Sequence, residues 1–498
     1  MMATHQAPER RPLRAGGAAL VVLLVAAGLL AAVIVVSVFG TARSPDARER
    51  ATREALARAK EALLTYAVTY AERRRDPTAN YFPVAGYLPC PDQGPATWDF
   101  GNEREGVANQ ACGDQDVSQI GRLPWHTLDI EPLRDGDGEC LWYVVSGNFK
   151  NNPKTSGMLN WDTPGLLRVG VPNVAAGAGL HWLAGNTASD RAVAVIIAPG
   201  RALHPQDRAQ VAGTPLCGGN YNPANYLDSQ HGLNNAYVVP AENTVSSYVA
   251  GTPREDFNDR VAYITAGELF DRISRHEAFR ARIRSLTGHV ARCIAEYGKP
   301  AAGNQTDFRV PWAAPVSLTD YVGYTYYTDG DNNEMGRVPH SLTHSADWTG
   351  RPEGVLLAAP ATGRCDASYW TAETAEWYKN WKDQLFLAVS HRFEPNKAPG
   401  ASTCPSNECV RVSGNAYLGV VIFAGRALPG QNRGTQAQKG IVGNYLEGLN
   451  LSSFPNAMGN GTFESGSAPN AAFTSTGPVN DLLYCISPGV PKATVAPC

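Results

Sequence analysis

The 498-residue chain contains no Cys-x-x-Cys pair, so neither a four-cysteine zinc framework nor one of paired cysteines and histidines is written in its spacing. It also lacks a Gly-x-Ser-x-Gly elbow, a His-Glu-x-x-His helix and a phosphate-cradling glycine loop. Those absences leave no nominated nucleophile, metal-bound water or nucleotide site, and the reading is of a protein that is not an enzyme. Charge of one sign is missing too: 43 Lys and Arg stand against 46 Asp and Glu, a formal net charge of −3. With no basic stripe carrying interleaved aromatics, nucleic acid is excluded as a partner.

Long apolar runs are scarce, and the exception is Ala18 to Phe39, uncharged and flanked by arginines. At about 1.5 Å per residue it would span the roughly 30 Å core of a bilayer, and it is too long for a secretory h-region. All ten cysteines follow it: Cys90, Cys112, Cys140, Cys217, Cys293, Cys365, Cys404, Cys409, Cys485 and Cys498. An even number among Gly-, Asn- and Pro-rich loops suits an oxidising compartment. Cys90 with Cys112 and Cys404 with Cys409 are the candidate disulfides; the remaining connectivity stays open.

Beyond the run, "ARERATREALARAKEALLTYAVTYAERRR" places Leu56, Ala59, Leu63, Tyr66, Ala67 and Tyr70 on one face of an amphipathic helix. Short β-type runs such as "LWYVVS" and "AVAVIIA" follow, separated by turn residues. The chain then repeats itself at a period of about 220 residues. "GRLP" at Gly121 returns as "GRVP" at Gly336, and "LWYVVSGNF" at Leu141 as "LFLAVSHRF" at Leu385. "GRALHPQDR" at Gly200 returns as "GRALPGQNR" at Gly425, "NYLD" at Asn225 as "NYLE" at Asn444, and "ND" at Asn258 as "ND" at Asn480. A second amphipathic pattern, with Ile283, Leu286, Val290, Ile294 and Tyr297 on one face, precedes the second copy.

A basic start, a Gly-Ala step, an apolar helix, a Gly/Pro kink, an amphipathic helix and a cysteine-bearing sheet together resemble type IV pilins and the pseudopilins of type II secretion. "RAGGAALVVLLV", "ALARAKEALLTYA", "GYLPCPD", "GRLPWHTLDIEPLRDGDGECLWYVVSGNF" and "VIFAGRALPGQNR" are similar to large proteobacterial prepilin-like proteins of unestablished role. The resemblance implies peptidase cleavage between Gly17 and Ala18, with Val22 at the fifth mature position, where that family keeps a glutamate. It implies partners among other pilin or pseudopilin subunits, bound through the N-terminal helix, and residence in the inner membrane. It also implies a loop calcium in the pseudopilin manner.

Two loops offer oxygens at alternate positions for Ca2+: Asp329, Asp331 and Asn333, and Asp135 with Asp137. Neither completes an EF-hand, and Asp-Gly is also ordinary tight-turn chemistry. Arg201 and Arg426, at equivalent places in the repeat, could clamp an anion or pair with Asp228 and Glu447 of their own copies.

The expected architecture is α+β: a basic cytoplasmic leader over residues 1–17, a transmembrane helix over 18–39 continuing into the amphipathic helix, and two tandem pilin-like units over 40–265 and 266–498, each one long helix packed on an antiparallel sheet. The expected function is that of a non-enzymatic structural, minor or tip subunit of an envelope filament or type II secretion-like apparatus, its bulk in the periplasm or on a fibre. The alternative is an anchored binding module that does not polymerise.

Overall fold

The computed structural model describes residues 44–498 apart from 79–80, 95–104, 154–157, 174–178, 212–213, 215, 298–307, 320–323, 346–353, 360, 398–403, 406, 455–459, 467–469 and 490–492. Helix α1 (Pro45–Arg73) begins where its residues tell it to: Ser44 caps it, its hydroxyl accepting from the Ala47 amide at 3.2 Å, with Pro45 in the first turn. Its buried stripe, Leu56, Ala59, Leu63, Tyr66, Ala67 and Tyr70, packs on the sheet behind it.

That sheet holds β1 (Gln119–Arg122), β2 (Trp142–Val145), β3 (Leu167–Pro172), β4 (Leu180–Ala184), β5 (Ala192–Ala198), β6 (Ser246–Val249) and β7 (Arg260–Thr265). Two helices follow directly, α2 (Ala266–Ser274) and α3 (Glu277–Tyr297). Thr265 ends β7 and also caps α2, accepting from the Glu268 amide at 3.2 Å, so no linker separates residues 40–265 from 266–498. The second sheet joins β8 (Met335–Arg337), β9 (Leu385–Val389), β10 (Gly419–Phe423), β11 (Leu482–Ser487) and β12 (Thr494–Pro497), with α4 (Ala372–Trp381) leading into β9.

Registers repeat between the sheets. Gly121 faces Tyr143, Tyr143 faces Ile196 and Ile196 faces Ala262; in the second sheet Gly336 faces Leu387, Leu387 faces Val421 and Val421 faces Tyr484. The central strands "AVAVIIA" and "GVVIF" are buried along their whole length because both faces are covered. Alternate residues serve alternate faces: Tyr143, Val145, Ala194 and Ile196 join Leu387, Val389, Val421 and Phe423 in one core with α1, α2, α3 and α4. Trp142, Val144, Val195 and Ile197 turn outward to a satellite core, as do Phe386, Ala388, Val420 and Ile422 in the second sheet.

The halves are also joined by polar contacts. The Leu159 amide donates to Asn380 Oδ1 at 2.9 Å, Asn160 Nδ2 donates to the Asn380 carbonyl at 2.8 Å, and Trp161 meets Trp381 edge-on with centroids 4.7 Å apart.

This architecture corrects the expected one. Among the described residues no helix is long and apolar enough to cross a membrane, in contrast to the expected single-pass inner-membrane placement. Residues 18–39, with Gly17 and Ala18, lie outside those described. The helix over 45–73 is not a continuation of the apolar run, because Ser44 at φ −57° and ψ 154° is non-helical. The first sheet is mixed rather than antiparallel, β6 running parallel to β3. The second helical pattern is broken in two at Arg275–His276, and strands outnumber the helices, six of them α among the described residues. Residues of both sheets also contribute to one shared core.

Candidate functional site

Each copy folds its "GRAL…Q-R" stretch into the same clasp at the end of its central strand. Arg208 donates to the Gly200 carbonyl at 2.7 Å, to Gln206 Oε1 at 2.8 Å and to the Asn225 carbonyl at 3.0 Å, and lies over Tyr226. Arg433 donates to the Gly425 carbonyl at 2.8 Å, to Gln431 Oε1 at 3.0 Å and to the Asn444 carbonyl, and lies over Tyr445. Gln206 then reaches Asp228 at 2.8 Å, and Gln431 reaches Glu447 at 2.6 Å. Behind each is a fully buried aspartate: Asp259 accepts from Asn235 Nδ2 at 2.9 Å, and Asp481 from Asn450 Nδ2 at 2.8 Å.

Burial first, and the neighbouring Asp228 second, hold the Asp259 carboxyl well above the usual carboxylate range; burial and Glu447 do the same to Asp481. A perturbed carboxylate pair is a common mark of catalysis. Here each pair fastens its own loops to its own sheet, and the arrangement is built twice.

At a second place the copies differ. After β2 and after β9 the chain makes one 3-10 turn, Gly147–Phe149 in the first copy and His391–Phe393 in the second. In the first copy the residue closing the turn is Lys150, fully buried, its Nζ donating to the carbonyls of Cys112 at 2.8 Å, Val117 at 3.0 Å and Asp114. In the second it is Glu394. His391 Nδ1 lies 2.9 Å from Glu394 Oε1 and 2.9 Å from Glu334 Oε1. The His391 side chain is 31% exposed, against 6% for Glu334 and 4% for Glu394. Lys397 Nζ is 2.8 Å from His391 Nε2 and 3.7 Å from Glu394 Oε2. The three ligand-type atoms lie within 4.8 Å of one another and could hold a metal ion.

The residues singled out from sequence sit elsewhere. Asp329 is buried and accepts from the amides of Thr343 at 2.5 Å, His344 at 3.1 Å and Ser345. Asn333 donates to the Ala313 carbonyl at 2.9 Å, while Asp331 is exposed. Asp135 is buried and accepts from the amides of Asp137 at 2.9 Å, Glu139 at 3.0 Å and Gly200 at 2.8 Å; Asp137 itself pairs with Arg48 at 3.2 Å. The oxygens of Asp329 and Asp135 thus accept from backbone amides, Asn333 spends its side-chain nitrogen on a carbonyl, and Asp331 and Asp137 point away from them, one exposed and one paired with Arg48. Asp228 and Glu447 are reached by Gln206 and Gln431; Arg426 pairs with Asp271, and the Arg201 carbonyl accepts from Asn258 at 2.8 Å. Cys90 is joined to Cys112 and Cys404 to Cys409; Cys140–Cys217, Cys293–Cys365 and Cys485–Cys498 are the remaining disulfides, with no free cysteine among the described residues.

The Glu334–His391–Glu394 group escaped the sequence reading because zinc spacings are local and these ligands are not. The repeat carried the signal: register sets Glu334 opposite Val389 as it sets Gln119 opposite Val145, and the turn residues then align Gly147 with His391 and Lys150 with Glu394.

A cavity of about 140 Å³ lies between the copies, lined by Trp161, Asp162, Ser189, Arg426, Gln431 and Arg433. Its volume falls short of the roughly 300 Å³ at which organic-ligand pockets begin, and its arginines are engaged, Arg426 with Asp271 and Arg433 with its clasp.

No known protein family matches the sequence, and no curated protein or solved structure is significantly similar to it.

Proposed function

We propose that the chain is a non-enzymatic structural subunit of an extracytoplasmic assembly, a rigid body that displays loops to neighbouring subunits. The observation that carries this reading is the cysteine census: five disulfides and no free thiol among the described residues. Such a set suits an oxidising compartment. In support, the buried carboxylates are tied to architecture in both copies, and one core runs through both sheets. Subunits of pilin or pseudopilin type are the neighbours that the sequence resemblance suggests.

The test is isolation of the native full chain from cell envelopes under gentle conditions, followed by chemical cross-linking and mass spectrometry. The expected result is stoichiometric cross-links to other subunits, with all ten cysteines oxidised. A chain recovered as a lone species, or with its thiols reduced, would sink the reading.

A further inference from the structure

The two copies provide an internal control on one site. In the first copy the place below the 3-10 turn is filled by a built-in cation: the Lys150 ammonium sits among three backbone carbonyls. In the second copy three positions differ together. Gln119 is matched by Glu334, Gly147 by His391 and Lys150 by Glu394, so each equivalent position now carries a side chain that ligates metals.

The geometry is close to that of a bound ion. With bonds of about 2.0–2.2 Å from nitrogen and oxygen, donors around a tetrahedral metal stand roughly 3.4 Å apart. Here His391 Nδ1 is 2.9 Å from both carboxylate oxygens, so an ion would need only a small opening of the group. Two nearly buried carboxylates converge on one nitrogen, a like-charge arrangement that a proton or a cation between them relieves. The partly exposed face of His391 gives an ion its way in and leaves room for water as a further ligand.

We propose that Glu334, His391 and Glu394 form a binding site for a divalent transition metal of zinc type, the second copy's replacement for the ammonium of Lys150. One imidazole nitrogen with two carboxylates suits zinc and its first-row neighbours better than calcium, which takes six to eight oxygens. In the metal-free protein Lys397 donates to Nε2, which places the ring proton on Nδ1, shared between the two glutamates. Metal takes Nδ1 and the proton passes to Nε2. The Lys397 ammonium, 32% exposed on a long stem, then turns from the ring toward Glu394 Oε2.

Titration of the full-length, metal-stripped protein with Zn2+ against a chromophoric chelator tests this. One equivalent per chain is expected, and His391→Ala and Glu394→Gln should each weaken it by more than about a hundredfold, beyond the cost of losing an outer-shell partner. Glu394→Lys restores the first copy's residue and should remove binding while the chain still unfolds cooperatively. Lys397→Met removes the donor to Nε2 and should leave binding intact or tighten it. Absence of stoichiometric zinc in the wild type overturns the proposal, as does zinc that persists in His391→Ala; circular dichroism of each variant separates misfolding from lost ligation.

Discussion

Lys150 and Glu394 close the same 3-10 turn in the two copies and carry opposite charge. Lys150 works as a three-way tie, its Nζ gathering the carbonyls of Cys112, Asp114 and Val117. Lys150→Met keeps the stem and deletes the donor, leaving those acceptors in a dry site. Each orphaned acceptor costs about 1–3 kcal/mol, so a loss of about 3–5 kcal/mol is expected in urea unfolding at pH 7. A loss below about 0.5 kcal/mol would mean that water replaces the ammonium freely.

The buried aspartates of the clasps set a pH dependence with a definite sign. Asp259 and Asp481 have folded-state pKa values raised by burial, whereas the unfolded chain releases such protons near about pH 4. Their contribution to stability is therefore full below about pH 4 and declines as the pH rises through the raised folded values, by up to about 1.4 kcal/mol per pH unit for each group. Asp259→Asn and Asp481→Asn keep an acceptor oxygen and cannot ionise. Their urea midpoints, relative to wild type, should climb as the pH rises above about 5 and level off once the folded carboxylates ionise. Parallel curves would show that the carboxylates are already charged across that range.

What could be read from sequence was local. The stripe of Leu56, Ala59, Leu63 and Tyr70 is visible because a helix keeps its period within one segment, and "AVAVIIA" announces a strand covered on both sides. Long-range choices were not legible. Nothing in "LRVGVP" says that its partner is "SSYV", parallel and nearly eighty residues on. The second amphipathic pattern runs on past Arg275–His276, where the chain breaks into two helices. Asp329 and Asp135 looked like calcium ligands because alternating oxygens suit both an ion and a turn; which one they serve depends on backbone amides that only the fold brings in. Glu334 meets His391 across neighbouring strand ends 57 residues apart.

Disulfides should differ in worth by the loops they close. Cys140–Cys217 spans 77 residues and Cys404–Cys409 spans 5. By the chain-entropy argument, replacing the first pair with serine should cost about 4–5 kcal/mol and the second about 2 kcal/mol. Thermal unfolding of the two double-serine variants checks the order. Equal losses would place the stabilisation in native-state packing around the sulfurs and not in the unfolded chain.

The edge-on contact between Trp161 and Trp381 is one of the ties that join the halves. Trp161 also packs edge-on against Phe279 and Phe423, so a residue from the first copy's sheet connections reaches into aromatic packing built by α3, α4 and β10. Trp161→Ala removes those ring contacts together and leaves a cavity, at a cost of about 3–5 kcal/mol. That energy is drawn from the joint between the copies, because the neighbouring ties from Leu159 and Asn160 to Asn380 are hydrogen bonds worth only about 0.5–1.5 kcal/mol each. Calorimetry should therefore show one transition for wild type and two overlapping ones for Trp161→Ala, the ratio of calorimetric to van 't Hoff enthalpy rising above one. A variant that melts lower but still in a single transition would place the coupling in the helices, where α1 packs on α2 and α2 on α3.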